Sequence, residues 1–348
     1  MISIHTFELT LNINTKEYNS LLSSAYKMAK ENKNRLGYST KYTTGDVRID
    51  DALASKGITV QYHNYEFRKM IKLCINPSKV LGGSDLKLWK PNRGNIEELM
   101  ALLNQYIDDY FDSEYDMNSF ELSRIDFTAN LDVGEKNVSS YIRLMYKIGK
   151  VKNFVPKYTK SDFETKHINK KHSFDLKGKT NGIEFTAYDK EADFKKAGKR
   201  NKAEKAKGIL RIEVRLTTRK SVKKVLETFT TDQSLWTEEE FQLLAEHSTE
   251  IFWSRMAQIV PFGDFYRLKE AEQRIMDSDL KPKKKEKMLC LIRLIAKRKS
   301  LYQALKEVNV RKSEEILLWF AKINVSPITI SAREEIDFLE NLYSYFEE

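Results

Sequence analysis

The chain has 348 residues, 41% hydrophobic and 32% charged, a balance that supports a sizeable core and excludes a disordered or fibrous protein. Sixty Lys and Arg against fifty Asp and Glu give a formal charge of +10. With a pI near 9.2, that surplus favours partners that carry phosphate.

Taken in chain order, residues 2–13 are β-rich, and Asn14 and Thr15 precede a helical pattern over 17–34, followed by a polar loop. Segments 57–65 and 67–75 read as adjacent strands closed by the turn signal Asn76-Pro77-Ser78. A helix over 96–111 carries apolar residues at Leu99, Leu102, Leu103 and Ile107.

Three later segments, 121–132, 182–190 and 209–216, alternate as strands do, with successive side chains leaving on opposite faces. In the first, Ile125, Phe127 and Ala129 oppose Arg124, Asp126 and Thr128. In the second, Ile183, Phe185 and Ala187 oppose Glu184, Thr186, Tyr188 and Lys190, and in the third Ile212, Val214 and Leu216 oppose Arg211, Glu213 and Arg215.

Between the last two strands lies a basic stretch, 195–207, read as a solvated helix or loop in which Lys195, Lys199 and Arg200 are candidates for phosphate contact. Beyond Asp232 the pattern turns helical, over 238–259, 262–277 and 285–297. Two short helices, 300–308 and 313–323, flank Asn309-Val310-Arg311-Lys312 at a spacing compatible with a helix-turn-helix pair.

We therefore expect an α+β fold in two units. Residues 1–232 form an antiparallel sheet with helices on one face, and 233–348 form a helical domain with a candidate DNA-binding hairpin. Cys74 and Cys290 lie outside any ligand spacing, the opening residues lack a signal peptide, and no apolar run reaches bilayer length. The expectation is a cytoplasmic chain without a membrane partner.

If the three strands pair, one face gathers Asp126, Glu213, Arg124, Arg211, Arg215, Tyr188 and Lys190. Acids flanked by arginines suit a divalent cation held against a phosphodiester, with guanidinium groups neutralising the charge that builds on its oxygens. A salt-bridge ladder on a sheet would use the same residues. A tyrosine nucleophile conserves the energy of the broken DNA bond, but its ordinary pKa near 10 calls for adjacent positive charge or a metal. Lys190 is the candidate neighbour.

None of His5, His63, His167, His172 and His247 is spaced as a histidine pair separated by one apolar residue. His63 is a candidate third ligand, and any cation is expected to be Mg2+ or Mn2+, held mainly by carboxylate oxygen. No phosphate-binding Gly-rich loop, dinucleotide fingerprint or nucleophile elbow is present.

Read in order, Leu122-Ser123-Arg124-Ile125-Asp126-Phe127, Phe185-Thr186-Ala187-Tyr188-Asp189-Lys190 and Leu210-Arg211-Ile212-Glu213-Val214-Arg215-Leu216 resemble the three motifs of the transfer-type replication initiators of small rolling-circle plasmids. The related filamentous-phage replication endonucleases are similar too. Met70 and the residues up to Lys79 are similar to the segment before the first motif, so the resemblance runs from 67 to 216 and leaves the helical remainder uncovered.

It implies that Tyr188 is the nicking residue, with Lys190 beside it, and that Asp126 and Glu213 are metal ligands; from the shared charged face, Arg211 is expected to aid catalysis and Arg124 and Arg215 to contact DNA. Asn130 departs from the pattern, where these initiators often carry a second aspartate, and Asp132 is its candidate substitute. The implied partners are origin DNA, double- and single-stranded, with a separate host helicase and polymerase. A homodimer is one expected state, because two tyrosines ease the opening and closing of a circle. A relaxase of a mobile element would use the same residues, and a non-enzymatic DNA-binding protein is the rival class.

Overall fold

The structure, a computed structural model, describes residues 1–31, 35–39, 46–50, 52–84, 86–112, 114–157, 172–308 and 313–346. Ten strands form one sheet: β1 (Ser3–Ile13), β2 (Arg35–Ser39), β3 (Asp46–Asp50), β4 (Ile58–Tyr65), β5 (Arg68–Ile75), β6 (Glu121–Asp132), β7 (Phe154–Pro156), β8 (Ser173–Gly178), β9 (Ile183–Asp189) and β10 (Ile209–Leu216). Their spatial order is β2-β3-β4-β5-β1-β6-β10-β9-β8-β7, and every neighbouring pair is antiparallel. The expected antiparallel α+β architecture is what the chain adopts.

The long alternating segments became the centre of this sheet for a simple reason. Phe7, Leu9, Ile125, Phe127, Ala129, Ile212, Val214, Phe185 and Ala187 all fall on one face and are fully buried. Each large apolar side chain removed from water contributes roughly 1.5–3 kcal/mol.

The cover comes from α1 (Thr15–Glu31), α4 (Arg93–Tyr110), α5 (Val138–Tyr146), α8 (Arg219–Leu226), α9 (Thr237–Glu246) and α10 (Ser248–Ala257). Two one-turn helices, α2 (Ala52–Ser55) and α3 (Pro77–Val80), join the strands on the β4–β5 side. The turn signal at 76–78 is in fact the start of α3, whose N-cap Asn76 side chain accepts from the Lys79 amide at 3.1 Å. Helix α4 buries Ile96, Leu99, Leu103 and Ile107, a single stripe at helical spacing, and starts where the Asn92 side chain accepts from the Asn95 amide at 2.9 Å.

Between β9 and β10 the chain forms two short helices, α6 (Lys190–Lys196) and α7 (Arg200–Glu204). They share a small apolar cluster of Phe194, Ala203 and Ala206 with Leu86 packed against it.

After Asp232 the chain is mainly helical, with α11 (Leu268–Asp277), α12 (Pro282–Arg298), α13 (Leu301–Glu307) and α14 (Ser313–Lys322), accompanied by a two-residue pairing of β11 (Phe265–Tyr266) with β12 (Phe338–Leu339). The core does not stop where the helical region begins. One continuous apolar cluster includes Phe7, Phe127, Phe241, Phe252 and Ile292, and the Phe7 and Phe241 rings lie 4.5 Å apart.

The C-terminal tail is tied back to the first half as well, with the Tyr141 hydroxyl donating to the Glu340 carbonyl at 2.8 Å and Arg143 gripping Glu334. Helices α13 and α14 match the two short helices expected there, while residues 309–312 between them lie outside the described residues.

Candidate functional site

The pairing register decides which side chains meet. In the sheet Arg211 stands across from Tyr188 and Asn130, Glu213 from Thr186 and Thr128, and Arg215 from Glu184 and Asp126. Opposite residues share a face, so Asp126, Glu213, Arg211, Arg215, Arg124 and Tyr188 gather as their spacing predicts, on the side away from the apolar core.

The Tyr188 hydroxyl donates to Glu213 Oε1 at 2.7 Å. Glu213 Oε2 accepts from Arg215 Nε at 2.8 Å and also from Arg215 Nη2. Arg124 holds Asp126 in a bidentate pair, Nε to Oδ1 at 2.8 Å and Nη2 to Oδ2 at 2.6 Å, the geometry that makes guanidinium–carboxylate contacts strong. Arg124 also reaches Glu8 of β1 at 3.0 Å, and Arg215 Nε lies 3.8 Å from Asp126 Oδ2.

These charges form layers. The acids are the deeper groups, with side chains 3% exposed for Asp126 and 1% for Glu213, whereas Arg124 is 28% and Arg215 21% exposed. Burial raises Asp126 to about 6 although Arg124 and Arg215 pull against it. Burial would raise Glu213 too, but Arg215, His5 and Arg211 together outweigh it and hold that carboxyl down at about 2. The Tyr188 phenol is pushed well above its ordinary value, first by burial and then by the charge of Glu213, with Arg211 opposing. A free phenolate is therefore disfavoured, and the hydroxyl is set up to pass its proton to Glu213 only as the oxygen gains another partner.

One expectation needs correction. Lys190 does not continue the strand face beside Tyr188, because β9 ends at Asp189 and Lys190 opens α6, whose first turn is capped by the Asp189 side chain accepting from the Ala192 amide. Its ammonium is bonded to Asp193 at 2.7 Å and lies over the Tyr188 and Phe194 rings, 5.4 and 4.4 Å from their centroids, not at the phenolic oxygen. Arg211 is fully buried, with Nε donating to Asn130 Oδ1 at 2.7 Å and Nη1 3.5 Å from His5 Nε2. It acts on Tyr188 and Glu213 through its field.

Asn130, the departure from the aspartate pattern, is thus the anchor of Arg211, with its own amide donating to the Leu86 carbonyl at 2.9 Å. Asp132 is exposed at the far end of β6 and accepts from the Gly134 amide at 3.3 Å, so it does not join the cluster.

A preformed divalent metal centre does not fit these side chains. Both oxygens of Asp126 are taken by Arg124, both oxygens of Glu213 by Tyr188 and Arg215, and among the described residues no three His, Cys, Asp or Glu converge as ligands. His63 sits on β4, four strand spacings from β10 or roughly 19 Å, too far to be a third ligand. His172 is near Asp189, 3.2 Å away, and His167 lies outside the described residues.

Of the cations expected on DNA, Lys195, Lys199 and Arg200 are exposed on the α6–α7 arm, with Lys195 paired to Glu191 at 2.6 Å. That arm begins two residues after Tyr188.

The sequence reading missed His5 and Glu8. The β1–β6 register slips between Ile4 and Thr6, a bulge that gives the core Ile4 and Phe7 and leaves His5 and Thr6 together between them. The sequence signal is the broken alternation Ile4-His5-Thr6-Phe7 in an otherwise regular strand.

The chain matches no protein-family model, and no curated protein matches it at a significant level. Among solved structures it is similar to a rolling circle replication initiator protein from Geobacillus stearothermophilus, with a TM-score of 0.31 and 9% sequence identity over 66% of this chain and 79% of that one. A likeness that slight carries no weight in assigning function, which rests instead on the residues of the site.

Proposed function

We propose that this protein nicks and rejoins DNA through Tyr188, as an initiator of rolling-circle replication. The observation that carries the reading is the junction of a phenol on β9 and a buried carboxylate on β10, 2.7 Å apart, beneath the outward-facing guanidinium groups of Arg124 on β6 and Arg215 on β10. In the reaction the Tyr188 oxygen bonds to a backbone phosphorus and the bond from phosphorus to the 3′ oxygen breaks. The phenolic proton passes to Glu213, and the departing 3′ oxygen takes a proton from solvent.

The 5′ phosphate stays joined to the tyrosine and the free 3′ hydroxyl primes synthesis, with joining as the reverse. Arg215 and Arg124 neutralise the charge on the phosphoryl oxygens. When a phosphate draws Arg215 away from Glu213, that carboxylate becomes more basic at the moment it must accept the proton. The exposed cations of the α6–α7 arm hold the flanking strand, and a separate helicase and polymerase extend the product. A relaxase acting at a transfer origin would run the same steps.

One observation favours the non-enzymatic rival: each acid of the cluster already holds an arginine, as in a structural ladder. Supercoiled plasmid carrying the DNA that flanks the protein's own coding sequence separates the two. We expect nicked circles with protein on the 5′ end, lost in Tyr188→Phe while binding persists; parallel reactions with Mg2+, Mn2+ and a chelator establish the metal requirement. Retardation without cutting by the wild type means the binding protein is the right reading.

A further inference from the structure

The polar face of the sheet extends well beyond Tyr188. On β5, Lys72 stands across from Thr10 of β1 and from Gln61 of β4. Its ammonium is 3.0 Å from Glu8, which also takes Arg124. The charges thus run unbroken from Lys72 through Glu8, Arg124, Asp126 and Arg215 to Glu213 and Tyr188. Throughout, the cation is the more exposed partner, 24% for Lys72 against 12% for Glu8.

Beyond Lys72 the same face carries His63 and Tyr65 of β4, whose rings are parallel within 3° at 5.8 Å. The two-residue tip of the β4–β5 hairpin holds Phe67, 94% exposed. Arg68 beside it donates from Nε to Asn12 Oδ1 at 2.5 Å, which ties the tip to β1.

A large aromatic ring held almost wholly in water adds nothing to the core, and here it closes a row of outward cations. Cations tracking a backbone, with aromatic faces for its bases, are the two components of sites that bind single-stranded nucleic acid without sequence preference. From β4 to β9 there are five strand spacings, roughly 24 Å, enough for several unpaired nucleotides.

We infer that one unpaired DNA strand crosses the sheet obliquely, following the register that moves two residues along the strands from Lys72 to Arg124 and two more to Arg215, its phosphates over those three cations and its bases stacked on Tyr65 and Phe67 at the hairpin. The inference deepens the nicking reading, on which it rests for the identity of its ligand, by naming a holding site remote from the cleaved bond.

Fluorescence anisotropy of the full-length protein with a labelled oligothymidylate of about 16 nucleotides tests it, across roughly 50 to 200 mM salt. Phe67→Ala and Tyr65→Ala should each weaken binding about tenfold and leave the salt slope unchanged. Lys72→Gln should lower the slope of log affinity against log salt by about 0.7.

Phe67 is so exposed that its removal leaves the fold intact, which a circular dichroism melt checks. Wild-type affinity in Phe67→Ala, or an unchanged slope in Lys72→Gln, overturns the inference, and the ring then serves another partner. The two readings fail separately. A protein that cuts DNA yet ignores these substitutions loses the track and keeps the nickase, whereas one that binds as described and never cuts does the reverse.

Discussion

Arg215 touches Glu213, lies 3.8 Å from Asp126 and 4.0 Å from Glu184, and is itself only a fifth exposed. Removing one member of a buried charge set strands the others, so Arg215→Ala should destabilise the protein by about 3 kcal/mol in urea titration. Arg215→Lys should recover only part of that, because a point charge cannot fork to a carboxylate.

Tyr188→Phe is a milder structural change. It removes one hydrogen bond, worth about 1 kcal/mol, and Glu213 keeps Arg215; a melt should move little while cutting disappears.

The two acids of the site should also leave opposite marks on stability against pH. Asp126 is raised to about 6 by burial, so its ionisation costs stability above that pH and the cost is relieved as pH falls through 6 toward the ordinary aspartate value of 3.8. Glu213 is held at about 2, so its contribution is full above 4.5 and is lost as pH falls from there. Urea midpoints of the wild type should therefore rise on mild acidification and fall below 4.5. Asp126→Asn should diminish the rise, to which Asp175, also raised by burial, contributes, and keep the fall.

Among the elements, Gly263 is a position where backbone conformation favours glycine. Its φ is +120°, and a Cβ there would sit 2.4 Å from the Val325 carbonyl carbon, in the bridge that joins Asp264 to Val325. Gly263→Ala should cost about 2 kcal/mol or more, read from the thermal midpoint.

The strands that build the site are legible because β9, β10 and β6 from Arg124 onward alternate regularly, and period two reports which side chains share a face. It does not report what covers that face, and so the depth of Asp126, Glu213 and Arg211 was not visible. Lys190 was misplaced for a related reason: alternation continues through Tyr188 and Lys190, while the cap that turns the chain into α6 is a single Asp189. Strands β2 and β3 read from the sequence as a polar loop because they are short and charged, and their strand state depends on β4 beside them. The long helix expected over 238–259 is two helices meeting at His247, whose ring stacks on Phe229 at 4.1 Å.

At the scale of the whole molecule, α9 and α10 belong to the sheet as much as to the helices that follow. They close over β1, β6 and β10, and Phe7 has Phe241 as its ring neighbour. A fragment ending at Asp232 would expose the central apolar face, and we expect it to aggregate or bind hydrophobic dye where the full chain does not. Among the described residues no helix is long and apolar enough to cross a membrane.

The account stands on Tyr188 becoming covalently attached to DNA, and peptide mass spectrometry after reaction with single-stranded oligonucleotides from the flanking DNA measures that directly. The predicted result is a peptide containing Tyr188 that carries a 5′ nucleotide phosphate. An adduct on another residue, or none from wild-type protein that demonstrably binds the same DNA, would contradict it.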